Sequence, residues 1–338
     1  MIAITGAAGF IGSNLAHRLS KEGNELLLID HPLNEKRRAN LAGLERFRFS
    51  DHLAFLDALN KNEIFPDVIF HLGANSSTTE TDWGLLERNN VEYSRRLWNW
   101  CSREQKPYIY ASSAATYGDG SHGFDDATHP RDLVPLNLYG KSKNEFDKWA
   151  LSEVAKKGKI PPRWAGMKFF NVYGPREAHK DAMASVVWKA YRQIVSDGEV
   201  GLFRSNTPDI KDGEQKRDFV FVEDCIDHML WLWRNPHGGG LYNSGTGHAR
   251  TFLDLVRAVF AALNREPRIR FIDMPAEISR QYQNFTQATM TRLRSTGFDK
   301  DFTPLEDGVA RSVAEIAGRE IRASEKRTSG DDRARRAQ

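Results

Sequence analysis

The sequence predicts an α/β protein built on a doubly wound parallel sheet, with a smaller α/β lobe on its C-terminal side. Three features carry this expectation. Short apolar runs alternate with helix-like runs through the first half of the chain. A glycine-rich turn, TGAAGFIG, directly follows the first apolar run. Beyond Asn171 the alternation loses its regularity, as expected of a second lobe.

The elements follow in order. IAIT (2–5) reads as a strand, and the stretch after it carries Ile11, Leu15 and Leu19 on one helical face. ELLLID (25–30), VIFHLG (68–73), YIYASS (108–113) and WAGMKFF (164–170) read as further strands, with helical stretches around 83–103 and 141–157 between them. Continuous apolar strands of this kind belong in a parallel sheet covered on both faces, a Rossmann-type arrangement. After Asn171, MASVVWKAYRQIV predicts a helix from about 182 to 197, and residues 206–216 a polar loop. RDFVFV (217–222) reads as a strand, DCIDHMLWLW (224–233) as a helix and LYNSGTG (241–247) as strand then turn. Residues 251–263 read as a helix that Thr251 can cap. The last stretch, 319–338, is charged and small in composition and predicts a solvated, frayed tail.

Composition excludes several classes. The 338 residues carry 48 basic and 45 acidic side chains, net +3, with none of the concentrated basic charge that nucleic acid requires. No apolar stretch approaches a membrane span, and MIAITGAAGFIG has neither the basic flank nor the spacer of a signal peptide. The two cysteines, Cys101 and Cys225, read as buried free thiols in a reducing cytoplasm. The ten histidines show no ligand spacing, so no metal is expected.

Gly6, Gly9 and Gly12 stand between a strand and a helix. A dinucleotide requires this arrangement: a tight turn, backbone close to the pyrophosphate, and free N–H groups at a helix N-terminus. Asp30 ends the second strand, where an acid can bind the adenosine ribose. Asp30 by itself suggests NAD. Lys36, Arg37 and Arg38 could neutralise a 2′-phosphate or could be a solvated charge run, so NAD and NADP both stay open on the residues.

The second constellation is YASSAATYG (110–118) followed by YGKSK. Of the nine tyrosines only Tyr139 has a lysine, Lys143, four residues on. On a helix the two share a face. A lysine placed so can hold the nicotinamide ribose and lower the tyrosine pKa, while a strand-end serine bonds the substrate oxygen. The competing reading is a surface YxxxK on an amphipathic helix. The glycine turn and the serine strand, in this order, weigh against it.

With both constellations present, the chain resembles the extended short-chain dehydrogenases/reductases, the group of nucleotide-sugar epimerases and dehydratases, over residues 1 to 315. The resemblance implies roles for Ser113, Tyr139 and Lys143 in redox chemistry at a C–OH bond. It places Asn89 where the third strand and the cofactor are ordered, and Leu72, Gly73, Ala74, Asn75 and Ser76 on the nicotinamide side. It adds Phe10, Ile11, His31, Arg37, Val172 and Lys180 to the cofactor contacts, and leans towards NADP. NSSTTETD (75–82), FNVYGPREAHK, RDFVFVEDC (217–225) and YQNFTQA (282–288) narrow the resemblance to the branch that inverts C6 of an ADP-bound heptose.

That chemistry implies a second acid/base. A C6 ketone must rotate before hydride returns to its opposite face, and a group fixed at Tyr139 cannot reach both oxygen positions. Lys180 matches the branch's second position; a phosphate-binding or surface lysine is the competing reading. For the substrate the resemblance implies Ser113, Asn171, Phe203, Arg204, Ser205, Asn206, Arg217 and Tyr282, with a strand-edge salt bridge for Arg217 and a core aromatic for Tyr282 as alternatives. Ala182 and Lys189 stand where part of the branch has a serine and a histidine, which leaves the exact nucleotide sugar open.

The resulting expectation is a cofactor domain at 1–170 with a returning segment near 218–247, and a substrate lobe from 171–217 and 248–318. The resemblance implies a cytoplasmic homo-oligomer supplying a lipopolysaccharide core precursor. Rivals are a UDP-hexose 4-epimerase, which would not need Lys180, and a dinucleotide-sensing binding protein, which would be expected to lack the tyrosine or lysine. A 4,6-dehydratase is disfavoured by Ser113-Ala114-Ala115 in place of its acid and base.

Overall fold

The computed structural model describes residues 1–236, 238–275 and 282–336. The first half runs β1 (Ile2–Thr5), α1 (Phe10–Lys21), β2 (Leu26–Asp30), α2 (Glu35–Leu41), β3 (Phe47–Asp51), α3 (His52–Asn60) and β4 (Val68–His71). Helix α4 (Trp83–Leu86) passes through a π-helical turn, Glu87–Glu92, into α5 (Tyr93–Glu104); β5 (Tyr108–Ser113), α6 (Leu138–Ala155) and β6 (Trp164–Phe169) follow. The second half holds β7 (Asn171–Tyr173), α7 (Val186–Asp197), β8 (Val200–Phe203), β9 (Lys216–Phe221), α8 (Val222–Arg234) and β10 (Gly240–Ser244). It ends with β11 (Ala249–Thr251), α9 (Phe252–Ala262), β12 (Ile269–Ile272), α10 (Thr291–Ser295) and α11 (Leu305–Arg336).

Seven strands form one parallel sheet in the order β10-β6-β5-β4-β1-β2-β3. Alternate residues feed two cores. Ile2, Ile4, Leu26, Leu28, Val68 and Phe70 face one; Ala3, Leu27, Ile29, Ile69, Tyr108 and Tyr110 face the other. Burial on both sides is why these strands read as unbroken apolar runs. The chain steps outward from β1 to β3, then crosses to β4 on the other side of β1. That reversal opens a crevice beyond the strands' carboxyl ends.

Several short elements were not foreseen, among them α2, α3, β7, β8, β11 and β12; three departures have a clear physical reason. Strand β3 was not foreseen: FRFSD alternates aromatic with polar residues, and at the sheet edge Phe47 and Phe49 stay 37% and 42% exposed. Helix α7 starts at Val186, not 182, because Ser185 accepts from the Trp188 amide and Ala178–Met183 is a 3₁₀ turn broken at Asp181, φ 45°. The frayed tail expected from Arg319 is instead helical to Arg336. Its first turn is anchored: Arg319 donates to the Ala39 carbonyl, and Glu320 accepts from Tyr191 and Arg192. Residues 337–338 lie outside the described residues.

The second half is woven into the first. Strand β10 returns to pair with β6, and β7, β9 and β11 form a small second sheet. Arg18 on α1 pairs with Glu223 at 3.0 Å and Asp227 at 2.9 Å, both on α8. Among the described residues no helix is long and apolar enough to cross a membrane.

Thr251 caps α9 in a reciprocal box with Asp254. Thr251→Ala is expected to cost about 1 kcal/mol in urea unfolding, and Thr251→Ser to restore most of it.

Candidate active site

A cavity of about 690 Å³ occupies the crevice. Thr5, Asp30 and Ser113, the last residues of β1, β2 and β5, all line it, as does Asn171 at the start of β7.

One end is built for a dinucleotide. Gly6 has φ +66°, and a Cβ there would sit 2.6 Å from the Gly73 amide nitrogen. A Cβ at Gly12 would run into the Gly6 carbonyl oxygen. Only glycine permits this approach. Helix α1 starts at Gly9 with no side-chain cap and no acid in its first turn, which leaves its N-terminus suited to an anion. Asp30 is buried; its carboxylate accepts from the Ala8 amide (2.9 Å), the His31 amide (2.8 Å) and Arg37 (2.7 Å). Phe10, Ile11, Leu72, Ala74, Asn75, Ser76, Asn89 and Val172 also line the cavity. These residues fit a nicotinamide dinucleotide by steric room and by donor set.

The reactive centre follows from β5 and α6. Tyr139 lines the cavity, and burial pushes its phenol up while the Ser113 hydroxyl bond works the other way. Lys143, one turn on, is 4% exposed and donates to the Ala111 carbonyl at 2.8 Å. Burial pushes its ammonium down to about 8, against the field of Asp147. The sequence reading had Lys143 lowering the tyrosine; here desolvation is the largest influence on each group. Lys143 does not line the cavity itself but stands behind Ala111, which does.

Lys180 lines the same cavity from another element, the 3₁₀ turn after β7. Its ammonium lies 5.2 Å from the Phe10 ring centre and 3.9 Å from Glu177, and its side chain is 27% exposed. Glu177 is fully buried and accepts from the Ser185 amide (2.7 Å), the Ser185 hydroxyl (2.6 Å) and the Gly174 amide (3.3 Å). Burial raises its carboxyl, with the Lys180 charge opposing. Asn40 joins this segment to the glycine turn, reaching the Ala8 carbonyl (3.0 Å), the Arg176 carbonyl (3.2 Å) and His179 Nδ1 (3.0 Å). Lys189 also lines the cavity, its ammonium pushed down by burial.

At the far end Arg217 is 5% exposed, with its guanidinium 5.0 Å from the Tyr282 ring and 5.6 Å from Phe252. Among the described residues no carboxylate forms an ion pair with it, which sets aside the strand-edge salt bridge; Tyr282 lines the cavity beside it.

A family model described as NAD dependent epimerase/dehydratase family matches residues 2–245. The chain belongs to that family. Within the epimerase/dehydratase family it is 47% identical over 318 residues to an ADP-L-glycero-D-manno-heptose-6-epimerase of Nitratidesulfovibrio vulgaris, covering 93% of this chain and 97% of that one. It is 41% identical to the same-named protein of Fusobacterium nucleatum, over 95% and 99%. The crystal structure of the Helicobacter pylori ADP-L-glycero-D-manno-heptose-6-epimerase superposes with a TM-score of 0.78 at 27% identity, over 94% and 96%. A UDP-N-acetylglucosamine 4-epimerase from Methanobrevibacter ruminantium gives 0.80 at 22%, a likeness of fold alone.

Against this family frame some expected contacts fall elsewhere. Ala182 is exposed and outside the cavity, because the turn breaks at Asp181. Phe203 to Asn206 also lie outside it: Arg204 is held by Asp212 (3.0 Å) and Asp273 (3.4 Å), and the Ser205 amide by Asp212 (2.8 Å). Asn90, beside Asn89, is the residue that ties down the segment after β4: it accepts from the Asn75 amide (2.9 Å) and donates to the Asn75 carbonyl and Ser142, both at 2.9 Å. Asn89 faces the cavity. Two adjacent asparagines on a helix point apart, so the sequence could show the pair but not the division of labour. His52 and Tyr93, which line the cavity beside His31, and Glu177 were missed. A glutamate inside the GPRE run was the available signal for Glu177.

Glu177→Ala should loosen the loop that carries Lys180. The half-buried Ser185 and buried Gly174 donors lose their acceptor, at a cost of up to about 1–3 kcal/mol for each donor left unsatisfied. Hydrogen exchange at the Ser185 and Lys180 amides should accelerate while α6 amides stay protected.

Proposed function

We propose that the chain inverts C6 of ADP-glycero-manno-heptose with NADP. The observation that carries this reading is that Tyr139 and Lys180 line one cavity from different elements, α6 and the turn after β7. The curated relatives' names point to the same reaction.

The site's own residues divide the work. A bound nicotinamide dinucleotide supplies a hydride acceptor that can give the hydride back. Gly6, Gly9, Gly12 and Asp30 hold it, and Lys143 orients its ribose from behind Ala111. Ser113 and Tyr139 bond the C6 oxygen, and Tyr139 takes its proton as the substrate becomes a 6-ketone. Rotation about C5–C6 carries that oxygen towards the other wall. There Lys180 gives the second proton, with Glu177 behind it as the counter-charge. Arg217, in a buried aromatic setting, suits the diphosphate of the substrate. Asn171, Lys189 and Tyr282 fill the sugar side. Arg37, already turned onto Asp30, supports NADP over NAD because its guanidinium can move onto a 2′-phosphate. This reading carries with it a cytoplasmic homo-oligomer.

Lys180→Met is expected to lower epimerisation by about 10²- to 10⁴-fold, with NADP still bound. NMR with both ADP-heptose epimers, on protein whose bound cofactor has been identified, reads this. Turnover equal to wild type would take Lys180 out of the mechanism. Arg37→Ala should weaken NADPH more than NADH in fluorescence titration; equal losses would remove the case for NADP.

A further inference from the structure

Beneath the reactive centre lies a charged pair with no solvent contact. The side chains of Lys168 on β6 and Asp147 on α6 are both 0% exposed and meet at 2.9 Å. Asp147 also accepts from the Tyr110 hydroxyl (2.9 Å) and the Ser112 hydroxyl (2.7 Å). Lys168 donates to Thr116 Oγ1 at 2.7 Å, and that hydroxyl donates to the Ser113 carbonyl at 2.8 Å. The pair therefore grips the end of β5 from two directions, through Ser112 and through Thr116. Tyr139, Lys143 and Asp147 are spaced four apart along α6 and share one face.

Burying two ions costs several kcal/mol each before their attraction is counted, so such a pair is poor evidence of a stability role. Its location suggests another. We propose that Asp147 and Lys168 are a positioning pair: Asp147 stands one turn beyond Lys143 on the same face of α6 as its counter-charge, and the two together hold Ser113 and Tyr139 in register. The inference rests on reading Tyr139 and Lys143 as the redox pair.

The groups around Lys143 and its counter-charge define the sign. Asp147 and Tyr139 stand on its own helix and His71 on β4 feels its charge, while Tyr110 on β5 and Lys168 on β6 are bonded to Asp147. Burial holds the His71 imidazole down to about 3, so it is neutral at working pH. Burial pushes the Tyr110 phenol up, so it is neutral too. Asp147 is thus the anion that favours the charged amine, against burial. Removing that anion lowers the pH at which Lys143 loses its proton, and with it the pH at which a ribose-holding ammonium is lost.

The test titrates NADPH by fluorescence from neutral to alkaline pH. The proteins are wild type, Asp147→Asn, Asp147→Glu and the double variant Asp147→Asn/Lys168→Met. The wild-type decline in affinity should move about one pH unit lower in Asp147→Asn, and Asp147→Glu should return most of the shift. The double variant removes both buried charges, so it tests the pair even if Asp147→Asn fails to fold; its inflection should also lie below that of wild type. An inflection unchanged from wild type in every folded variant would overturn the proposal. Wild-type activity on ADP-heptose is measured alongside. Its absence would sink the substrate reading, while the NADPH inflection would still decide the role of Asp147.

Discussion

Where the sheet reverses direction, two backbone turns touch with no room for a side chain between them. Gly6 after β1 meets Gly73 after β4, and Gly12 closes on the carbonyl of Gly6. That contact lets α1 start close against the sheet, so its N-terminus opens onto the crevice between β1 and β4. The rest of the site is referenced to it. Asn14 on α1 reaches the Pro175 carbonyl at 3.0 Å, and Arg176 reaches back to Asn14 at 2.7 Å. Asn40 spans from the glycine turn to His179. A segment more than 160 residues distant in sequence is thereby fixed against the first turn of the fold. The family's GPRE run is, in physical terms, largely the material of this clasp.

The cavity's charges are arranged asymmetrically. Arg37, Lys180, Lys189 and Arg217 present cations to it from four different elements. Asp30 has its oxygens occupied by two amides and a guanidinium, and Glu177 sits fully buried behind Lys180. A dinucleotide and a nucleotide sugar both bring diphosphates, and a lining with more cations than exposed carboxylates suits them. Partial burial matters as much as sign: it brings the Lys189 ammonium below its ordinary range, and it leaves Arg217 between two aromatic rings without a competing carboxylate among the described residues.

The main sheet was legible because its strands are buried on both faces, so Ile2 to Thr5 or Val68 to His71 could hardly be read otherwise. Strand β3 was not, since an edge strand needs to bury little, and its phenylalanines alternate with Arg48 and Ser50. The glycine turn and the Tyr139–Lys143 pair were legible because local spacing alone creates their geometry. Lys180 was placed by likeness to a family, not by spacing. Positions that depend on how distant segments settle were not legible. Ala182 turns outward at a strained Asp181, Phe203 to Asn206 follow the β8–β12 pairing, and it is Asn90 that bonds the Asn75 segment while Asn89 lines the cavity. The charged tail misled for a related reason: composition describes its solvation but not the bonds of Arg319 and Glu320 that seat its first turn.

A lysine shortly before a helix faces an electrostatic objection, because the N-terminal end of a helix repels a cation. The structure answers it through Glu177. Ser185 caps α7 with its hydroxyl oxygen while its proton and its amide both go to Glu177. The carboxylate thus meets the helix start on one side and the Lys180 ammonium on the other, and the Lys180 amide closes the turn on the Glu177 carbonyl at 2.8 Å. The same buried anion satisfies the helix end, shapes the turn and offsets the amine's charge. A cation can therefore stand at the cavity wall where an exposed, unassisted lysine would be pushed away into solvent. The pairing also explains why the carboxylate tolerates full burial: three donors and one cation share its charge, and removing any one of them shifts the burden onto the others.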